Sequence, residues 1–476
     1  VTATSSPTAP RERLLDRRYL PVVVGVVALV TLAAFENRAV MTILPVVVRD
    51  LDGWALFGAS TGASLVTFTV ATAWSGSWTD RLGPRPVLLA GLGLFVAAQV
   101  VSALAPTMPL FVAGRALSGA AEALVDTTLL VLVAQALPES LRAKVFASFA
   151  AAWILPSLLG PGLAGAIEGL AGWRFVFLGP LLVVPPALVL LRVALRRGGG
   201  PAATSADDPG ARGRLGAAVL LAAGLAVTTF SAPLLDSTAT RVAGLAVVGA
   251  GAVVVVLAAT RALPAGTARL APGVPAVVGL RLLTSAAFTG VGSVLPLMLV
   301  TTHDVSTTVA GVSLSVTGVM WAFGSWLNST GRVQDGVTAA VRTRAGGLLI
   351  AVGAAGPVLL ALDLLPVAAG MVGWALAATG MGILSPTLST ELLEHAPRAE
   401  RGRASAAQGL AISTGVALQT GLVGAVVAWF GPAMDGPRFA ALMTSGALVA
   451  LVVAAGASRM APARARQRGD AAPRPA

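Results

Sequence analysis

Fourteen stretches of this 476-residue chain are apolar and near the length of about 20 residues that a helix needs to cross a bilayer. They run over residues 20–47, 54–78, 86–105, 108–136, 143–168, 173–195, 215–234, 241–262, 275–300, 307–329, 342–362, 365–392, 403–430 and 437–458. Hydrocarbon offers no partner to a backbone N–H or C=O, so only helices and closed barrels can span it. Stretches of this length are helices, because a spanning strand takes only about 9–11 residues. The expected fold class is therefore all-α and integral to the membrane. Composition agrees: charged residues make up 11% of the chain, against about a quarter in a soluble domain, and mean hydropathy is +0.83.

The basic residues orient the bundle. Of 33 lysines and arginines, 27 fall in the tails and loops on the side of the N-terminus, with Arg261, Arg269 and Arg281 assigned to the loop after the eighth span. Four, Arg49, Arg174, Arg241 and Arg438, fall on the other side, and Arg38 and Arg115 lie within spans. This bias places both termini in the cytoplasm of a multi-pass protein of the cell membrane. The net charge of +12 is thus a topological signal, not a nucleic-acid footprint. There is no cysteine, only two histidines (His303 and His395) and one lysine, Lys144, with no glycine-rich loop before it. These counts exclude thiolate metal sites and P-loop ATP hydrolysis, and they predict a chain that is not an enzyme and holds no metal or cofactor.

A repeat divides the chain. Residues 76–85 read Gly-Ser-Trp-Thr-Asp-Arg-Leu-Gly-Pro-Arg, and residues 324–333 read Gly-Ser-Trp-Leu-Asn-Ser-Thr-Gly-Arg-Val. Gly76, Ser77, Trp78 and Gly83 align with Gly324, Ser325, Trp326 and Gly331, and Asp80 aligns with Asn328. Two spans precede each joint and four follow it, which leaves the pair at 215–234 and 241–262 over. The expectation is two pseudo-symmetric six-helix bundles, 20–195 and 275–458, with two additional helices at 215–262 between them. The linker at 196–214 is cytoplasmic, as are the tails at 1–19 and 459–476. Duplicated membrane bundles of this kind are characteristic of secondary transporters.

Gly76-x-x-x-Asp80-Arg81-x-Gly83-x-Arg85 resembles the loop between helices 2 and 3 of the major facilitator superfamily, specifically its fourteen-helix drug:proton antiporters. Arg115-Ala116-Leu117-Ser118-Gly119 is similar to that family's helix-4 pattern, with Ser118 where glutamine is usual. Pro156-x-x-x-Gly160-Pro161-x-x-x-Gly165 looks like its antiporter motif in helix 5. Glu36 matches its helix-1 acid, although Asn37-Arg38-Ala39 departs from the usual Thr-Ile-Val run. The resemblance implies helices 1 and 4 lining a central cavity. It also implies a conformational gate at Gly76, Asp80, Arg81, Gly83 and Arg85, and a bent helix 5 that limits leakage.

Charges inside a bilayer cost about 2.5–3.5 kcal/mol each on insertion scales, so they face the bundle interior or water. Arg115, Gly119, Glu122 and Asp126 fall within about 20° of one stripe on a 100°-per-residue helix. At 1.5 Å per residue Glu36 lies between Arg115 and Glu122 in depth, while Arg38 is about 200° from Glu36 and points elsewhere. We therefore expect Glu36 to carry the coupling proton with Arg115 beside it, and Glu122 and Asp126 as a second acidic pair. In this scheme substrate and proton compete for one carboxylate. Phe35, Arg38, Trp153, Phe288, Trp321, Trp374 and Gln408 are candidate pocket residues, since aromatics with few fixed polar groups suit bulky amphipathic ligands. The expected activity is proton-driven export of small amphipathic or cationic compounds, as in multidrug or antibiotic efflux, by a chain functional as a monomer in the bilayer. The alternative is another solute class on the same fold, lipid or glycolipid export or solute uptake, or less readily a non-transporting membrane protein.

Overall fold

A computed structural model describes residues 16–460 except Arg17, 198–210, Asp236, Thr238 and 398–400. Most of the expected tails and of the linker lie outside the described residues, all of whose regular elements are helical. The first half comprises α1 (Leu20–Asp50), α2 (Phe57–Leu82), α3 (Pro84–Leu104), α4 (Met108–Ala136), α5 (Glu139–Ala171), α6 (Trp173–Leu178) and α7 (Val184–Arg197). Then come α8 (Ala211–Phe230) and α9 (Arg241–Ala262). The second half comprises α10 (Val274–Gly292), α11 (Leu295–Thr302), α12 (Thr307–Ser329), α13 (Gly331–Gly336), α14 (Ala339–Ala361), α15 (Val367–His395), α16 (Arg401–Phe430) and α17 (Gly436–Gly456).

Each of the fourteen apolar stretches coincides with helix. Twelve spans among the described residues are long and apolar enough to cross a membrane; α5 and α8, at the fifth and seventh stretches, are not among those twelve. Two stretches divide into two α-helices each. The sixth becomes α6, a 3₁₀ turn at Gly179–Leu182 and α7, where Pro180, Pro185 and Pro186 remove backbone donors. The ninth becomes α10 and α11, interrupted just before Pro296. The ninth also holds the residue that the charge count misplaces: Arg281 lies inside α10 and is buried, so the second half does carry an intramembrane cation.

Helix pairing repeats between the halves. In the first, α1 packs on α5 and α7, and α4 packs on α2 and α3; in the second, α10 packs on α16 and α17, and α15 packs on α12 and α14. Across the halves α5 meets α12, and α2 meets α16. The extra pair, α8 and α9, packs together and against α2 and α16, with Thr229 over Gly62 and Thr228 over Gly421.

Glycines set the closest approaches. A Cβ on Gly311 of α12 would sit 2.1 Å from the Pro161 carbonyl oxygen, and one on Gly165 of α5 would sit 2.5 Å from that of Thr307. Proline at 161 has no N–H for the Ser157 carbonyl, and Gly318 brings α12 against that freed oxygen. Thr308 Oγ1 donates to the Gly165 carbonyl (2.8 Å), and the Gly162 N–H donates to Ser315 Oγ (3.2 Å). These contacts run from Gly165 and Thr307 to Ser157 and Gly318, within the parts of α5 and α12 farther from the chain termini. The halves meet at this distal end, where Gly58 also abuts Gly424. Nearer the terminus-bearing end Trp78, Phe323 and Trp326 are exposed.

Candidate functional site

Three consecutive residues of α1 point at three different partners. Glu36, buried, accepts hydrogen bonds from the Arg115 guanidinium and the Ser118 hydroxyl of α4, and the first of these is also an ion pair. Asn37 Nδ2 donates to Glu122 Oε1 of α4 (2.9 Å). Arg38 Nε donates to Ser157 Oγ of α5 (3.2 Å). A step of about 100° per residue carries the chain around α1 in this way. Glu36 and Glu122 also border a small cavity of about 20 Å³ that is lined by α1, α3 and α4.

The stripe on α4 is thereby divided. Arg115, Ser118 and Glu122 face α1, but a Cβ on Gly119 would strike Ser64 of α2 at 1.9 Å, so Gly119 serves close packing of α2 on α4. Asp126, one turn beyond Glu122, is half-buried and makes no hydrogen bond or ion pair among the described residues. Ser118 and Asn37 read in the sequence as departures from a family pattern; both are instead hydrogen-bonding members of this network.

Arg38 occupies the other side of α1. It lines a cavity of about 140 Å³ between the halves, together with Ser157 and Pro161 of α5, Phe288 of α10, Trp321 of α12 and Trp374 of α15. Phe288 stacks on Trp374 with ring centres 4.6 Å apart, and Trp321 meets its edge at 5.4 Å. Four of the seven candidate pocket residues thus converge. The other three do not. Phe35 packs 3.6 Å from the position of a Gly160 Cβ, on the flank of the α1–α5 contact. Trp153 is 37% exposed, beyond the last close α5–α12 contact. Gln408 donates to Ser389 of α15 (2.9 Å), away from the lining. Direct competition of proton and ligand for Glu36 is therefore not the geometry found: Glu36 and the central cavity lie on opposite faces of α1.

The two repeated joints differ. At the first, Gly83 adopts φ +80°, a conformation that favours glycine, and Pro84 starts α3. Gly76 has open space around it, and Arg81 and Arg85 are exposed and without an ion pair among the described residues. Asp80 lies in the last turns of α2, and its side chain is outside the described residues. At the second joint Asn328 is buried and accepts from Arg342 Nη1 (3.3 Å) and Thr387 Oγ1 (3.1 Å), which ties α12 to α14 and α15.

The profile of the Major Facilitator Superfamily matches residues 26–420. The chain belongs to that superfamily. A probable multidrug-efflux transporter of Mycobacterium tuberculosis is 33% identical over 199 residues, which is 42% of each chain. The methylenomycin A resistance protein of Bacillus subtilis is 32% identical over 126 residues, 26% of this chain and 27% of that one. The matches to such curated relatives span about two-fifths of their length or less. Among solved structures, a peptide transporter of the POT family bound to sulfate superposes with TM-score 0.66 at 15% identity, covering 94% of this chain and 96% of that one. A D-xylose-proton symporter superposes with TM-score 0.62 at 18% identity, covering 94% and 98%. These likenesses show the fold.

Proposed function

We propose that this multi-pass membrane protein is a proton-coupled exporter of small amphipathic compounds, of the multidrug or antibiotic efflux kind, working by alternating access as a monomer in the cell membrane. Its two transporting bundles are residues 20–195 and 275–458, with both termini cytoplasmic. The observation that carries the reading is the back-to-back arrangement on α1: a buried acid network on one face and an aromatic cavity between the halves on the other. Similarity to efflux and resistance proteins supports the direction of transport.

Coupling then runs through α1. Protonation of Glu36 removes the charge that holds Arg115, and protonation of Glu122 changes what Asn37 meets. Either loosens α1 from α4 and frees it to turn, which moves Arg38 in the cavity. The distal contact of α5 with α12 closes one side, so the structure supports a state open towards the terminus-bearing side. No cofactor enters this scheme; the proton gradient supplies the energy.

The test uses everted membrane vesicles energised to an acid interior, with a fluorescent pH indicator inside. Addition of a transported amphiphile should release protons from wild-type vesicles and leave Glu36→Gln vesicles unchanged. Solute accumulation with no proton release in the wild type would show a uniporter and reject the coupling.

A further inference from the structure

Among the described residues that line the central cavity one side chain is charged, and it is a cation. Arg38 gives only its Nε to the protein, and its two Nη groups carry no hydrogen bond or ion pair among the described residues. A guanidinium in a largely apolar chamber is costly unless something of opposite charge completes it. Among the described residues no carboxylate lines this cavity: Glu36 is committed to Arg115 and Ser118, and Glu122 to Asn37, behind α1. Gly160 of the helix-5 motif faces the stem of Arg38, and a Cβ there would lie 3.4 Å from Arg38 Cβ, an ordinary contact distance.

Opposite Arg38 stand flat apolar surfaces, the Phe288–Trp374 stack and Trp321. A second cation lies on the Phe288 face of α10, outside the cavity lining. Arg281 lies seven residues before Phe288, within about 20° of it around α10 and about 10 Å nearer the terminus-bearing end. It donates to Ser385 Oγ (2.9 Å), and Ser385 falls within about 20° of Trp374 around α15. Arg281 likewise has no ion pair among the described residues, and its Nε is buried without a partner.

We propose that the substrate is an organic anion with an aromatic or otherwise flat apolar body, held by its acid group on Arg38 and by its body on Phe288, Trp321 and Trp374. This rests on the export reading above and narrows it. A carboxylate or sulfonate fits the planar fork of a guanidinium with two parallel hydrogen bonds. Arg281 marks the approach: a cation in a cleft with low-dielectric walls raises the local concentration of anions. Aromatic faces also attract cations, but a cationic guest would share this small chamber with Arg38 and no counter-charge.

The experiment takes the full chain in lipid nanodiscs and measures binding by equilibrium dialysis with a matched pair of probes. Naphthalene-2-sulfonate is anionic at every working pH, and trimethyl(2-naphthyl)ammonium is its cationic counterpart. The wild type should bind the anion at least tenfold more tightly than the cation. Arg38→Gln should lose at least tenfold for the anion and little for the cation, and Arg38→Lys should restore part of the preference. Equal binding of both probes by the wild type, or tighter binding of the cation, overturns the proposal even if Arg38→Gln fails to fold. Uptake of both probes into wild-type proteoliposomes under a pH gradient separates the two readings. Movement of the cation alone refutes the anion assignment and keeps export; movement of neither refutes both.

Discussion

The ion pair of Glu36 with Arg115 admits two roles that a cycle of substitutions separates. Both side chains are almost fully buried, at 6% and 4% exposure, and Ser118 adds a third group. Breaking a buried pair from one side leaves the other charge uncompensated, which costs about 3–5 kcal/mol. Glu36→Gln keeps a carbonyl that can accept from Arg115 and Ser118, so its cost falls at the lower end of that range. Arg115→Gln leaves a bare carboxylate in the same space and falls at the upper end. The double variant Glu36→Gln/Arg115→Gln buries two neutral amides of matching length and should recover at least half of either loss, since replacing both charges of a buried pair is often close to neutral. Equilibrium unfolding in mixed lipid–detergent micelles reads this part. Transport reads the other. A coupling acid cannot be replaced by an amide, so pH-gradient-driven export should fall more than tenfold in Glu36→Gln and stay there in the double variant. If export returns together with stability, the pair is a static brace and the proton is carried elsewhere, with Glu122 as the next group to examine.

Two further outcomes follow from the helix contacts. Gly311→Ala places a methyl group 2.1 Å from the Pro161 carbonyl oxygen, a backbone atom, so α12 must retreat from α5. Distal labels on α5 and α12, measured by double electron–electron resonance, should show a longer separation, and proteoliposomes a larger passive proton leak; an unchanged distance would mean that the α5–α12 contact does not seal that end. At the second joint, Asn328→Asp gives Arg342 and Thr387 a charged acceptor in a buried position, which strengthens the tie between α12, α14 and α15. It should raise resistance to thermal unfolding and lower turnover at saturating substrate, and faster turnover would argue against a latch at this joint.

Architecture was legible because bilayer crossing is a length and hydropathy condition that twelve spans among the described residues meet by themselves. The fourteen stretches, the repeat and the extra pair at 215–262 all needed no knowledge of contacts. Breaks within a stretch were harder. Pro180, Pro185 and Pro186 sit in a run whose hydropathy is continuous, and membrane helices tolerate proline often enough that its presence alone does not end one. Arg281 was lost for a related reason. Seven residues into α10 it is close enough to the end to be counted with a loop, but its guanidinium is held inward by Ser385. Periodicity did place Arg38 away from Glu36, because that follows from the turn of one helix. It could not tell which neighbour each face meets, and so it could not separate the acid network from the cavity or set Phe35, Trp153 and Gln408 aside.

That separation changes how energy conversion has to be understood here. If a substrate and a proton competed for one carboxylate, exchange would follow from electrostatics at a single point, and a ligand would need positive charge. With the acids behind α1 and a cation in front, neither condition holds. On the proposed reading exchange is mechanical: the state of the α1–α4 contact would decide how α1 is turned, and so where Arg38 stands relative to Ser157 and the aromatic wall. Residues 36, 37 and 38 are adjacent in sequence, so a rotation that releases Glu36 and Asn37 from α4 cannot leave Arg38 in place. A cross-link that fixes α1 to α4 while sparing the cavity should therefore block export and preserve ligand binding. Direct competition predicts the opposite sensitivity, since a locked helix would still exchange a proton for a ligand at a shared acid.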